Sequence, residues 1–135
     1  MSEGALTSRF HFGWTRDLQF SQSVRSGDLV VTSGQTGMDD GGLLPEAFED
    51  QLRQAFRNLD RVLREQGSSL DGILRLNTYL ADVGDYAAFK AIRGEFLRPP
   101  YPASTGVVVG FLIPGMRCEL EAIAVRGAVR EPDDE

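Results

Sequence analysis

Glu119 and Glu121 are the residues of this chain best spaced for acid–base chemistry. They alternate with Cys118, Leu120 and Ala122 in a run that reads as a β-strand, so a period of two puts both carboxyls on one face of a sheet. A carboxyl half withdrawn from water has its pKa raised toward the range in which a general acid or base works. The structural alternative for Glu119 is an ion pair with an arginine across a subunit interface; Arg117 stands two residues before it on the same face. The residue pattern leaves both readings open.

Other chemistries have fewer parts. His11, the single histidine, lies in the aromatic stretch Arg9-Phe10-His11-Phe12 with no spaced partner motif, and reads as a packing or surface residue rather than a base. Cys118, the single cysteine, falls among apolar residues in mid-strand, which favours a buried thiol over a nucleophile and excludes a disulfide or a paired-cysteine zinc site within the chain. The run Ser33-Gly34-Gln35-Thr36-Gly37 has two glycines but no phosphate-loop lysine and opens no helix, so it reads as a turn at a strand end. No metal and no other cofactor is expected.

The elements that must position these residues fit in one domain. A chain of 135 residues, 41% hydrophobic and 25% charged, can bury one core without disulfide or metal. That domain is expected over residues 1–128. Residues 129–135, with Glu131, Asp133, Asp134 and Glu135 beside Pro132, read as a disordered acidic tail, and setting those four acids aside takes the formal charge from −6 to −2. Such a balance offers no basic stripe for nucleic acid. Neither a basic-then-apolar opening nor a membrane-length apolar run occurs, so no membrane association is expected and the cytoplasm is the expected compartment.

Residues 18–24 and 29–33 read as two strands around the turn Ser26-Gly27-Asp28. Over 46–66, Phe48, Leu52, Ala55, Phe56, Leu59, Val62 and Leu63 recur on one helical face, with Pro45 suited to the first turn and Gly67 to a left-handed end. Residues 73–81 read as a strand, and Asp82 or Asp85 caps a second helix through Phe96 with Tyr86, Phe89, Ile92 and Phe96 inward. Strands over 105–112 and 116–125, joined at Pro114-Gly115, close the chain. The order β, β, α, β, α, β, β implies an α+β mixed sheet with two helices on one face. Its other face mixes charges with an apolar patch of Ile73, Tyr79, Ile123 and Val125, which self-association would hide.

Dispersed motifs in order resemble the RidA/YjgF family of enamine/imine deaminases, also called the L-PSP endoribonuclease family. They are Gly27-Asp28-Leu29-Val30-Val31-Thr32-Ser33-Gly34-Gln35, the helix from Gln51 through Asn58 to Leu63, Gly67-Ser68-Ser69-Leu70-Asp71, Pro102-Ala103-Ser104, and Cys118-Glu119-Leu120-Glu121-Ala122-Ile123-Ala124. The resemblance runs from about residue 20 to 125. It implies a chorismate-mutase-like fold, a homotrimer around a central barrel, and small-molecule clefts at subunit boundaries. It also implies that Glu119 positions the hydrolytic water and that Ser33 and Gly34 line the cleft. Three positions depart from the family pattern. Its carboxylate-binding Arg falls on Ser104, or on Thr105 if a gap is placed differently; its cleft Tyr falls on Phe20; and a cleft Asn of the second helix falls on Lys90.

Losing a hydrogen bond between two charged groups costs about 1.5 to 3 kcal/mol, or roughly a ten- to hundredfold weaker hold on a carboxylate. The resemblance therefore implies either a metal-free imine hydrolase with an altered substrate or a non-catalytic, ligand-binding regulatory trimer. A ribonuclease, an activity sometimes attributed to the family, fits poorly with the acidic balance and the single histidine.

Overall fold

The computed structural model describes residues 6, 12–15, 18–128 and 130. The expected acidic tail and His11 lie outside the described residues, apart from Arg130. Strands β1 (Ser23–Ser26), β2 (Leu29–Thr32), β3 (Ile73–Leu80), β4 (Ala103–Val108) and β5 (Cys118–Val125) form one sheet in the order β1-β2-β5-β3-β4. Helices α1 (Phe48–Glu65) and α2 (Tyr86–Phe96) complete the α+β architecture. The β3–β4 pair is parallel and joined through α2, and the other pairs are antiparallel.

One hydrophobic layer holds these elements together. Phe48, Leu52, Phe56, Leu59 and Leu63 of α1 and Phe89 and Ile92 of α2 are buried against Val30, Leu76, Leu80, Cys118, Leu120, Ala122 and Ala124 of the sheet. Each such large side chain contributes about 1.5 to 3 kcal/mol by leaving water. Phe56 and Phe96 stack with ring centroids 4.8 Å apart, which joins the two helices. Gly67, at φ +84°, ends α1 as expected: its N–H reaches the Arg64 carbonyl while the Ser68 N–H reaches that of Leu63.

Two buried amides on α1 fasten the loops. The Gln51 side chain donates to the Pro45 and Gly115 carbonyls at 2.7 and 2.9 Å and accepts from the Arg117 N–H at 2.8 Å. Asn58 donates to the Thr36 and Met38 carbonyls at 2.9 and 2.8 Å. Between them Gly37 lies on the helix backbone, where a Cβ would come within 2.5 Å of the Gln51 Cα. The segment after β2 and the start of β5 are thus both held to α1.

Several expected boundaries shift. Residues 18–20 are a bend rather than strand, α1 begins three residues after Pro45, and a 3-10 turn over Val83–Asp85 precedes α2. The strand expected over 105–112 runs Ala103–Val108, because it is registered on β3 from Arg75 to Leu80. Tyr86, at the first position of α2, is exposed instead of inward. The clearest correction concerns Ile73, expected on the open face. A bulge sets Ile73 opposite Ala124 and Arg75 opposite Ile123, leaving Leu74 as the extra residue. Ile73 is therefore fully buried and Leu74 is 50% exposed.

Cys118 lies in the core, and burial pushes its thiol up to about 12. At pH 8 only about one molecule in ten thousand carries the thiolate that attacks labelling reagents. Alkylation of the folded protein should therefore be slow and should speed up with denaturant. Rapid stoichiometric labelling without unfolding would mean that the faces of β5 are assigned backwards.

Candidate functional site

The open face of the sheet is set by strand register. On it, Val107, Tyr79 and Glu119 form one row across β4, β3 and β5, and Thr105, Asn77 and Glu121 form the next. Val31 and Leu29 of β2 extend the face beside Ile123 and Val125. The face mixes apolar with polar residues, as expected, with Leu29, Val31 and Val107 exposed and Ile73 absent.

The two glutamates have different surroundings. Glu121 accepts hydrogen bonds from the Tyr79 hydroxyl and from Asn77 at 3.2 Å, and the bond to Glu121, with burial second, holds the Tyr79 phenol above the ordinary tyrosine range. Glu119 has no hydrogen-bond or ion-pair partner among the described residues. Burial, with the charge of Glu121 second, raises its carboxyl above the ordinary carboxylate range. Arg117, the arginine expected beside it, turns the other way to pair with Asp85 at 2.9 Å and lies over the Phe48 ring. Among the described residues of one chain, no arginine pairs with Glu119.

Glu119 rests on the turn that follows β2. The strand pairing breaks after Val31 and resumes one residue out of step, with Gln35 and Leu120 exchanging backbone hydrogen bonds of 2.6 and 2.9 Å. The slack falls on Ser33-Gly34. A Cβ on Gly34 would meet the Glu119 carboxyl at 2.4 to 2.5 Å, so the missing side chain makes room for that carboxylate against the main chain. Ser33 donates its hydroxyl to the Ser21 carbonyl at 2.5 Å, and the neighbouring Phe20 projects from the bend, partly exposed. The structure therefore brings Ser33, Gly34 and Glu119 together, with Phe20 one residue from Ser21.

Ser104 and Lys90 belong to a different place. Ser104 is registered with buried Leu76, so it faces the helix layer and lines a hollow of about 360 Å³ with Lys90, Arg93, Leu97 and Tyr101. Thr105 faces the opposite way and accepts from Arg75 at 2.5 Å on the open face. The two positions weighed for the carboxylate-binding residue thus point to opposite sides of the sheet. Arg93 and Thr78 went unremarked in the sequence; the i, i+3 step from Lys90 and the parallel register of β3 and β4 are the features that would have found them.

Comparison with known proteins now bears on this geometry. The family described as Endoribonuclease L-PSP matches residues 16–126. The chain belongs to the RidA/YjgF family. The fission-yeast protein mmf2, mitochondrial, is 39% identical over 109 residues, covering 78% of this chain and 86% of that one. The 2-iminobutanoate/2-iminopropanoate deaminase of goat is 32% identical over 110 residues, covering 80% of each. The crystal structure of RidA from an Antarctic Psychrobacter species has a TM-score of 0.77 at 30% identity, covering 93% of this chain and 96% of that one. The name of the fission-yeast relative places that protein in mitochondria, whereas the cytoplasm was expected here. Among the described residues of this RidA/YjgF chain, no helix is long and apolar enough to cross a membrane. No group of three or more His, Cys, Asp or Glu among them is placed to hold a metal ion.

The pKa of Glu119 has a consequence for stability. A folded-state value above the unfolded one means that folding favours the protonated carboxyl, so this contribution is present at low pH and is lost as pH rises through the raised value. Glu119→Gln, which mimics the protonated form, should melt at or above the temperature of the unsubstituted protein at pH 7. The advantage should shrink as the pH falls through the carboxyl range. A lower melting temperature at pH 7 that recovers in acid would identify an ionic partner that stabilises the carboxylate.

Proposed function

We propose that this protein is a homotrimeric imine deaminase of the RidA type that hydrolyses C=N bonds without a metal, with Glu119 positioning the water. The observation that carries the reading is a half-buried carboxylate with a raised pKa and no partner among the described residues, lying against Gly34. Such a group is ready to take a proton from water. In the reaction, water adds to the carbon of a protonated imine, Glu119 takes the proton released, and a carbinolamine forms. Glu119 returns that proton to the nitrogen, the C–N bond breaks as ammonia leaves, and the hydroxyl proton passes to the freed Glu119 carboxylate and on to solvent, leaving a carbonyl compound. The deaminase name of the goat relative supports this reaction class.

The cleft in this proposal is shared between subunits. Glu119 and Ser104 lie two strands apart and three residues out of step along them, about 14 Å, and face opposite sides of the sheet, so one small ligand cannot touch both within a chain. A cyclic trimer resolves this if Ser33, Gly34, Phe20 and Glu119 of one subunit close on Ser104 and Lys90 of the next. The partly apolar open face, which two helices leave uncovered, supports the association. A second reading, a non-catalytic ligand-binding trimer, is favoured by one specific observation: Ser104 brings no charge to the position where the family pattern has an arginine.

Imines generated in situ by an amino-acid oxidase, with semicarbazide trapping the survivors, separate the two readings. The deaminase should reduce trapping, with kcat/KM rising through a pKa above the ordinary carboxyl range, and Glu119→Gln should abolish the effect. A shared cleft adds a sharper test. Inactive Glu119→Gln subunits mixed equally with inactive Ser104→Asp subunits, then unfolded and refolded together, should regain about a quarter of the wild-type sites by random assembly. No acceleration with any imine favours the binder, and no recovery on mixing rules out the shared cleft.

A further inference from the structure

The helix-side groove that contains Ser104 has a charge of its own. Arg93 on α2 borders both the hollow described above and an adjoining one of about 350 Å³, and Ser104 borders both as well. Its guanidinium lies 5.0 Å from the centre of the Phe89 ring, and no carboxylate among the described residues pairs with it. Other arginines nearby are committed: Arg53 to Glu95, Arg98 to Asp71 and Arg117 to Asp85. An arginine held on an aromatic face at a groove, without a counter-ion, is a preformed anion site.

A second observation points into the same groove. Thr78, only 1% exposed, lines the adjoining hollow, and its hydroxyl has no hydrogen-bond partner. A buried hydroxyl left unpaired is costly, and an acceptor arriving from a ligand would satisfy it. Leu80, Phe89 and Val108 supply apolar wall around these polar groups. Three donors from Arg93, Ser104 and Thr78 beside such a wall match a carboxylate carrying a bulky apolar substituent.

The geometry points to Arg93 as the carboxylate anchor of this groove, which binds 2-oxo or 2-imino acids with large hydrophobic side chains. The charge missing at Ser104 is supplied from the facing helix. This deepens the deaminase reading, because it takes the Ser104 groove as that cleft's ligand-holding half.

Titration calorimetry of the full-length protein with phenylpyruvate, pyruvate and the neutral phenylpyruvamide tests the assignment. Phenylpyruvate should bind more tightly than either of the others. Arg93→Gln should weaken phenylpyruvate by about ten- to hundredfold while leaving the amide unchanged, and Arg93→Lys should retain part of the affinity. Lys90→Gln, at the exposed rim, should lose less. Thr78→Val should weaken binding yet raise the melting temperature of the free protein, since it removes the unpaired hydroxyl. The assignment falls if Arg93→Gln binds phenylpyruvate as the wild type does, if Lys90→Gln loses as much, if the amide binds equally well, or if the wild type binds no carboxylate. Turnover separates it from the deaminase reading. Binding through Arg93 without imine hydrolysis leaves the anchor and removes the hydrolase, whereas Glu119-dependent hydrolysis with an unchanged KM in Arg93→Gln does the reverse.

Discussion

Two helices can cover one face of a five-stranded sheet and no more, and most of this molecule follows from that limit. On the covered side the strands carry Leu76, Leu80, Cys118 and Leu120, all withdrawn from water into a single layer with α1 and α2. On the other side no described helix forms a second layer. The residues there mix Leu29 and Val31 with Tyr79, Asn77 and Glu121, which satisfy one another by hydrogen bonds, and with Glu119, which has no such partner. A carboxylate in that position is desolvated by the fold and compensated by no described residue. This is the usual physical signature of a group kept for chemistry rather than for stability.

Position along the strands was legible in the sequence where the period of two ran unbroken. In β5 every alternate residue from Cys118 to Ala124 is buried, so Glu119 and Glu121 could be placed on the open face from spacing alone. In β3 the same rule failed at Ile73, because a one-residue bulge resets the phase and its signal is a pairing, not a residue type. Gln51 and Asn58 share the buried side of α1 with Ala55 and Val62 at helical spacing, yet their polarity took them out of the apolar pattern that identified the helix. Apart from Pro45, their carbonyl partners lie in segments 20 or more residues away, which local reading does not reach.

The candidate site divides along the same line. Its Glu119 half needs few parts: two residues of the turn after β2 and one residue of β5, distant in sequence and brought together by a single out-of-step bridge. Its Ser104 half depends on the parallel β3–β4 pairing and on the helix that crosses between those strands. The motif at Pro102-Ala103-Ser104 named a residue but not its surroundings. The charge beside it sits eleven residues earlier, on α2, and becomes a neighbour only after the crossover has folded back.

The strand that bears Glu119 is the last in the chain among the described residues and the middle one in the sheet. Before it is made, the β1–β2 hairpin and the β3–α2–β4 unit have no strand in common, and each presents an open edge where β5 will lie. Such edges recruit other strands readily, so a chain interrupted during synthesis is a substrate for aggregation or proteolysis rather than a weaker version of the protein. Closure of the sheet and arrival of the carboxylate are the same event. A nascent chain can already hold the Ser104 groove, but it cannot carry Glu119 until nothing remains of the sheet to assemble.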